Sequence, residues 1–433
     1  MTASYASPTA HRPRRGAAWL RPLTGPARLA RRRLRAGLRR GLAYWPDVAA
    51  FSGALLCAGL AAVLAGLLGG CGGGVGSEGT GSFASGTITG YGSIIVNGVH
   101  FDERTAQVQD DDGQTLAPGA LALGMVVQVS AGPVATAADG TRQAVADSVR
   151  TQRALVGPVS ALDLAGSRLT LLGQTVRLGA DTVVDERLGG GLAGLAAGQW
   201  LEVYGFYDAA AGAFAATRLA PSGPSAGLRI SGPVAAVDAG SRTLRLGSQS
   251  YSLVGVASVP APDALVSLKL QADTDAQGRW VVSGQQAGAA PPQDRDGARL
   301  DGRVSQLLPA GRFIVDGVTV DSSAARVSGS LAVGAQVEVS GALRAGVLVA
   351  SEVQARSEQA RSFELNGSPS GLDAVRKRFV LRGTTVSYAR ADVVFDGGNA
   401  ASLVGYSGEL KVEGQLSADR TLVEATRIRF KGR

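Results

Sequence analysis

Histidine, cysteine and lysine are nearly missing from this chain. Two His, two Cys and four Lys among 433 residues leave little material for most acid–base, zinc or Schiff-base chemistry. Only His100 lies beyond residue 70, and one imidazole without a free thiol cannot build a zinc site of the usual composition. Beside Phe101 it reads as a strand residue. No Lys follows a Gly, so there is no P-loop. Aromatics are scarce as well, at 5%. Positive charge looks plentiful, with a formal net of +8, but residues 1–70 alone carry 11 Arg and one Asp, and the remainder sums to −2. A slightly acidic body with few aromatics lacks the basic groove and stacking platform of nucleic-acid binders. No nucleic acid, metal or cofactor is expected.

Glycine, by contrast, is abundant: 61 residues, about twice the usual ~7%. It shows no Gly-X-Y period, which excludes collagen, and an apolar content of 45% argues against disorder. By length alone the chain holds about three domains at roughly 150 residues each, or more if they are small.

The first 50 residues are Arg-rich, with Arg31-Arg32-Arg33 and Arg39-Arg40. Residues 51–70 then run without a charge to Leu68-Gly69-Gly70-Cys71. A charged segment, an apolar segment and a small-residue cleavage site describe a secretory signal over residues 1–70. Cys directly after the small pair resembles the lipobox of bacterial lipoproteins. That resemblance implies lipidation at Cys71, an exported chain and anchorage in the cell envelope; Gly72 at the next position favours the outer membrane. The residues after Arg32-Arg33 fit a twin-arginine signal poorly. An uncleaved membrane anchor is the alternative, since 20 apolar residues can just span a bilayer, but a Gly-rich tether (71–85) follows where a basic stop-transfer flank would stand. With Cys57 in the signal and Cys71 lipidated, no disulfide is expected and stability must come from packing.

Beyond the tether one pattern recurs. A Gly-x-hydrophobic opening appears at Gly86, Gly157, Gly232 and Gly302, and more weakly at Gly367. The spacing is about 70 residues, the mark of a repeat architecture. Within the fourth repeat, Phe313-Ile314-Val315 and Val318-Thr319-Val320 flank Asp316-Gly317, a strong hairpin signal; the first repeats it around Asn97-Gly98. A Leu-x-x-Gly turn then feeds an alternating strand, as in Leu331 to Gly341 and Leu195 to Gly205. The third repeat departs most, with Pro262-Asp263 at that turn. No helical period is sustained, so the expected fold is all-β: about five small OB-like barrels in tandem, at 86–154, 155–224, 228–292, 299–359 and 362–430. Pro221-Ser222-Gly223-Pro224 and Pro291-Pro292 look like linkers.

This grammar resembles a bacterial family known as domain of unknown function 5666, whose members are often tandem β units behind a lipoprotein signal. The resemblance covers most of residues 85–430, strongest in the first and fourth repeats; Gly90 to Asp102 looks most like the family's opening segment. It implies the fold and the envelope setting and carries no catalytic residue.

Several apparent motifs dissolve in context. Gly74-Val75-Gly76-Ser77-Glu78-Gly79 matches a dinucleotide loop but follows a lipidated Cys, not a strand. Gly223-Pro224-Ser225-Ala226-Gly227 matches a nucleophile elbow, yet no helix follows it. Asp110-Asp111-Asp112-Gly113 lacks the spaced ligands of a calcium loop and reads as a solvated turn. One feature survives. In the second repeat, alternation places Trp200, Glu202 and Tyr204, with Phe206 beyond, on the face away from the core, where other repeats are mostly polar. That face is the candidate binding surface for an envelope protein, peptide or glycan, or else it packs on a neighbouring repeat. The expected function is a non-enzymatic envelope protein that binds or scaffolds; the alternative is an envelope hydrolase using Asp and Glu carboxylates, the only plentiful catalytic types.

Overall fold

The computed structural model describes residues 81–287, 294–356 and 361–431. The signal segment, Cys71, the Gly74–Gly79 motif and Pro291-Pro292 lie outside the described residues. Among those described, no helix exceeds four residues and the fold is all-β.

The second repeat displays the unit. Leu155–Asp163 pairs antiparallel with Arg168–Leu171, and that strand with Gln174–Val184. Gln174–Val184 then runs parallel to Ala213–Pro221. Ala213–Pro221 pairs with Trp200–Asp208, which returns to Leu155–Asp163. Five strands therefore close on themselves, which removes the free edges of a small sheet. The first repeat closes the same way through Ser82–Tyr91, Ile94–Val96, Val99–Asp102, Arg142–Thr151 and Val126–Ala131. The third and fourth repeats share this order, with parallel pairing between the third strand and the last at one residue pair in the third repeat and at three in the fourth. In the fifth, the opening strand is split into Phe363–Gly367 and Ser370–Asp373. Pro369, which cannot donate to a ladder, lies in the break.

The recurring residues have separate physical roles. At Asn97-Gly98 and Asp316-Gly317 both turn residues have positive φ (52° and 67°, 46° and 78°), the backbone of the two-residue hairpin turn whose twist matches its strands. The opening glycines are needed for room. A Cβ on Gly86 would overlap the Asn97 carboxamide oxygen, and one on Gly302 the Asp316 carboxylate oxygen, with Val315 Cγ1 2.7 Å away. Register shifts occur two residues later, after Ile88, Val159, Val234 and Val304. A bulge there bends the long first strand so that it serves both sides of the barrel. The deviant third repeat keeps the same backbone: Asp263 N–H bonds to Val234 O at 2.8 Å, as Gly334 N–H does to Val304 O. Asp263 adopts φ 65° where the fourth repeat has a glycine at 84°, and Asp tolerates this region better than most residues.

The barrels do not form a simple row. Ser82–Ser85 pairs parallel with Gly297–Leu300 of the fourth repeat, and Gly90-Tyr91 with Glu364-Leu365 of the fifth. Arg229-Ile230 of the third repeat pairs with Leu155-Val156 of the second. The apolar cores follow these seams. The first and fifth barrels share one cluster, the second and third another, and the fourth has its own.

The Gly302→Ala variant should be less stable by about 1–3 kcal/mol, the usual cost of overpacking, because its methyl group must displace the Asp316 turn. Denaturant unfolding of the variant against the natural chain measures it.

Candidate functional site

The strand Trp200–Asp208 leads to the site. Leu201 and Val203 point into their own barrel, as alternation requires. Trp200 and Glu202 on the other face are half-buried. Tyr204 and Phe206, placed by alternation on the face away from their own barrel, are only 3% and 6% exposed, so at these two positions that face packs on another repeat, one of the two alternatives read from the sequence. Both have joined the core shared by the first and fifth barrels. The physical reason is that alternation reports only whether a side chain enters its own barrel; another barrel covers the outer face. A register shift between Tyr204 and Gly205 re-aims the strand's end.

Glu202 and Tyr204 line a cavity of about 590 Å³ where the first, second and fifth barrels meet. The first barrel contributes Tyr91, whose hydroxyl accepts from Leu123 N at 2.6 Å and donates to Leu121 O at 3.2 Å. Burial drives its phenol up to about 12. The second barrel contributes Arg218, 7% exposed, which donates to Leu123 O at 3.0 Å and pairs with Asp185. Asp185 also accepts from the Arg187 backbone and side chain at 3.0 and 2.9 Å. From the fifth barrel, Arg382 reaches Glu103 at 3.2 Å.

Two of the four acidic residues that line the cavity, Asp185 and Glu202, are pushed apart. Burial raises the Asp185 pKa, but the hydrogen bond from Arg187 and the charge of Arg218 more than offset it and bring it to about 2. At Glu202 burial prevails over Arg153 and Arg218 and the pKa rises. Its contacts are long, 3.4 Å from the Tyr204 hydroxyl and 3.8 Å from Arg153. Glu202 is therefore available to exchange a proton or bind a ligand hydroxyl, whereas both Asp185 oxygens are engaged by arginine.

A second constellation adjoins it. Asp110-Asp111-Asp112 is no solvated turn: the three side chains are only 15%, 9% and 18% exposed and face cations from the first and third repeats. Arg153 contacts all three. Arg229, 1% exposed, pairs with Asp111 at 3.3 Å and with Asp112 at 2.5 Å, and Lys269 reaches Asp112 at 2.6 Å. Burial raises the Asp112 pKa, but the bonds from Arg229 and Lys269 outweigh it and hold the carboxyl below its ordinary value. The carboxylates lie close enough together to hold a metal ion, but arginine and lysine already supply the positive charge. Sequence reasoning missed this junction, because nothing local to Asp110–Asp112 announces Arg229 more than a hundred residues away.

The remaining sequence candidates are structural. His100 sits on Val99–Asp102, 3.9 Å from Glu364, with its pKa lowered by burial. Ser225 is exposed on the short turn Pro224–Ala226, followed by a strand.

Arg229→Met leaves Asp111 and Asp112 facing each other with one cation fewer. It should cost about 3–5 kcal/mol, as expected when a buried pair loses one member, and adding Asp112→Asn should recover part of the loss in unfolding experiments. For Asp185, the folded-state pKa lies below the unfolded value of about 4. Its pairs therefore stabilise the fold fully above about pH 4 and lose that effect as pH falls towards about 2. Asp185→Asn should be less stable at neutral pH and show a shallower loss of stability on acidification, measured by denaturant midpoints across that range.

A family model described as "Domain of unknown function (DUF5666)" matches residues 156–220 and 301–354, within the second and fourth barrels. The match thus includes the fourth repeat but falls on the second and not the first, and is narrower than the resemblance read along 85–430. No curated protein matches. Two chains of known structure match; one, titled "drosophila Unr CSD456", is 14% identical, covers 48% of this chain and 98% of its own length, and has a TM-score of 0.13.

Proposed function

We propose that the protein is a lipid-anchored component of the bacterial cell envelope, outer membrane rather than inner, that binds a partner or ligand without catalysing a reaction. The junction at Asp110–Asp112 carries the binding-scaffold part of this reading. Repeats one and three are joined there by ion pairs, and Arg153 reaches Glu202 of repeat two at 3.8 Å, beside a cavity of about 590 Å³, within the ~300–1,000 Å³ of ordinary small-molecule sites. The envelope part rests on the signal-like segment ending at Cys71.

The competing reading is a carboxylate hydrolase, favoured by the opposed pKa shifts of Glu202 and Asp185 on one wall. Against it, Asp185 is held by Arg187 and Arg218 and has no oxygen left over for a water or a substrate.

Cys71→Ser should abolish labelling by a fatty-acid probe in cells and leave the leader uncleaved. A processed, labelled variant would sink the anchoring proposal.

A further inference from the structure

Four acids and four arginines line the cavity where the first, second and fifth barrels meet, so its walls carry no net charge when all are ionised. Most of these groups are held by the protein itself. Asp185 is taken by Arg187 and Arg218. Glu186 accepts from the Thr385 N–H at 3.1 Å and from its hydroxyl at 3.0 Å, and Arg382 reaches Glu103. Arg153 and Glu202 are the exception. Arg153 turns Nε and Nη2 to the Asp110–Asp112 junction and leaves Nη1 towards Glu202, whose carboxylate stands 3.8 Å away. That separation is too long for a hydrogen bond. The other contact of this carboxyl, from the Tyr204 hydroxyl, is also long at 3.4 Å. Among the described residues a donor and an acceptor therefore stand side by side without satisfying each other, on side chains 11% and 19% exposed.

Such a gap suits a group that accepts and donates at once. A hydroxyl can accept from Arg153 Nη1 and donate to Glu202, joining the two through one oxygen. A ligand anion would take the donor but meet the charge of Glu202. A ligand ammonium would take the acceptor but meet the guanidinium groups of Arg153 and Arg218, both of which act on Glu202. Either ion would also give up its hydration on entering a lining with no net charge to offset that loss. The lining further includes Leu116, Leu121, Met125 and Leu422, apolar surface that suits the carbon–hydrogen face of a ring.

We propose that this cavity binds an uncharged mono- or disaccharide, one hydroxyl of which bridges Arg153 and Glu202. Charge-assisted hydrogen bonds from the guanidinium and to the carboxylate are stronger than those between neutral groups, so the pair can hold a hydroxyl against water. The volume of about 590 Å³ falls in the range of small-molecule sites. This assignment rests on the reading of the cavity as the ligand site and narrows it to one class. It is independent of anchoring at Cys71.

Titration calorimetry of the purified full chain tests it, with maltose, cellobiose and lactose as neutral probes and digalacturonate and the glucosamine disaccharide as charged ones. At least one neutral disaccharide should bind about tenfold or more tightly than both charged ones, a difference of ~1.4 kcal/mol, with an affinity that added salt leaves unchanged. Glu202→Ala should weaken that binding by about tenfold or more. Its melting temperature should be unchanged or higher, because burial already disfavours the charge of Glu202. A charged disaccharide that binds as tightly as the neutral ones, and is weakened by Glu202→Ala, overturns the uncharged class and leaves the cavity a ligand site. A disaccharide whose binding Glu202→Ala does not change sits elsewhere and overturns the site itself. No binding by any probe overturns the sugar assignment. If Glu202→Ala does not fold, Glu202→Leu, which keeps the buried volume and removes the acceptor, is read by the same criteria.

Discussion

A barrel of about seventy residues buries only ~60% of the surface its unfolded chain exposes, too little for comfortable independent stability. The arrangement of this molecule follows from that constraint. Each barrel closes its own sheet, and its residual apolar surface is then covered by another barrel. The first and fifth share a core, as do the second and third, and strands pair across repeats at Ser82–Ser85 and at Arg229-Ile230. No cysteine lies among the described residues, so no disulfide does this work there.

Covering apolar surface between barrels also encloses the polar groups around it. Charges caught there must be paired, because an unpaired buried ion costs several kcal/mol. The arginines at 153, 218, 229, 303 and 361 meet that requirement with Asp111, Asp185, Asp112, Asp208 and Asp301. Arginine suits these positions because its planar fork can satisfy several acceptors at once and does not give up its proton on burial. The scarcity of lysine in the chain accords with such use. Where a carboxyl has no partner the opposite occurs. Asp316 Oδ2 is buried without a hydrogen bond, and burial, with the charge of Asp301, drives that pKa well upward.

The cavity is a product of this packing. Rounded barrels cannot fill the space between them, and the gaps are lined by whatever faces outward from each. Tyr204 and Phe206 illustrate the result: they are outer-face residues of one barrel and core residues of the assembly.

What the sequence determined alone was the barrel. Glycine openings, Asn-Gly and Asp-Gly turns and alternating runs encode contacts between residues near one another along the chain, and the same local physics acts in every repeat, including the third, where Asp263 stands in for a glycine. Even the outward face of Trp200–Asp208 was legible as a face. What covers it was not, nor was the role of Asp110–Asp112, read from sequence as a solvated turn. Those depend on which barrels meet, and pairing between Arg229 and Asp112 or between Arg361 and Asp301 leaves no periodic trace in either segment. Only the tertiary structure decided them, because a buried charge is specified by its distant partner and not by its neighbours in sequence.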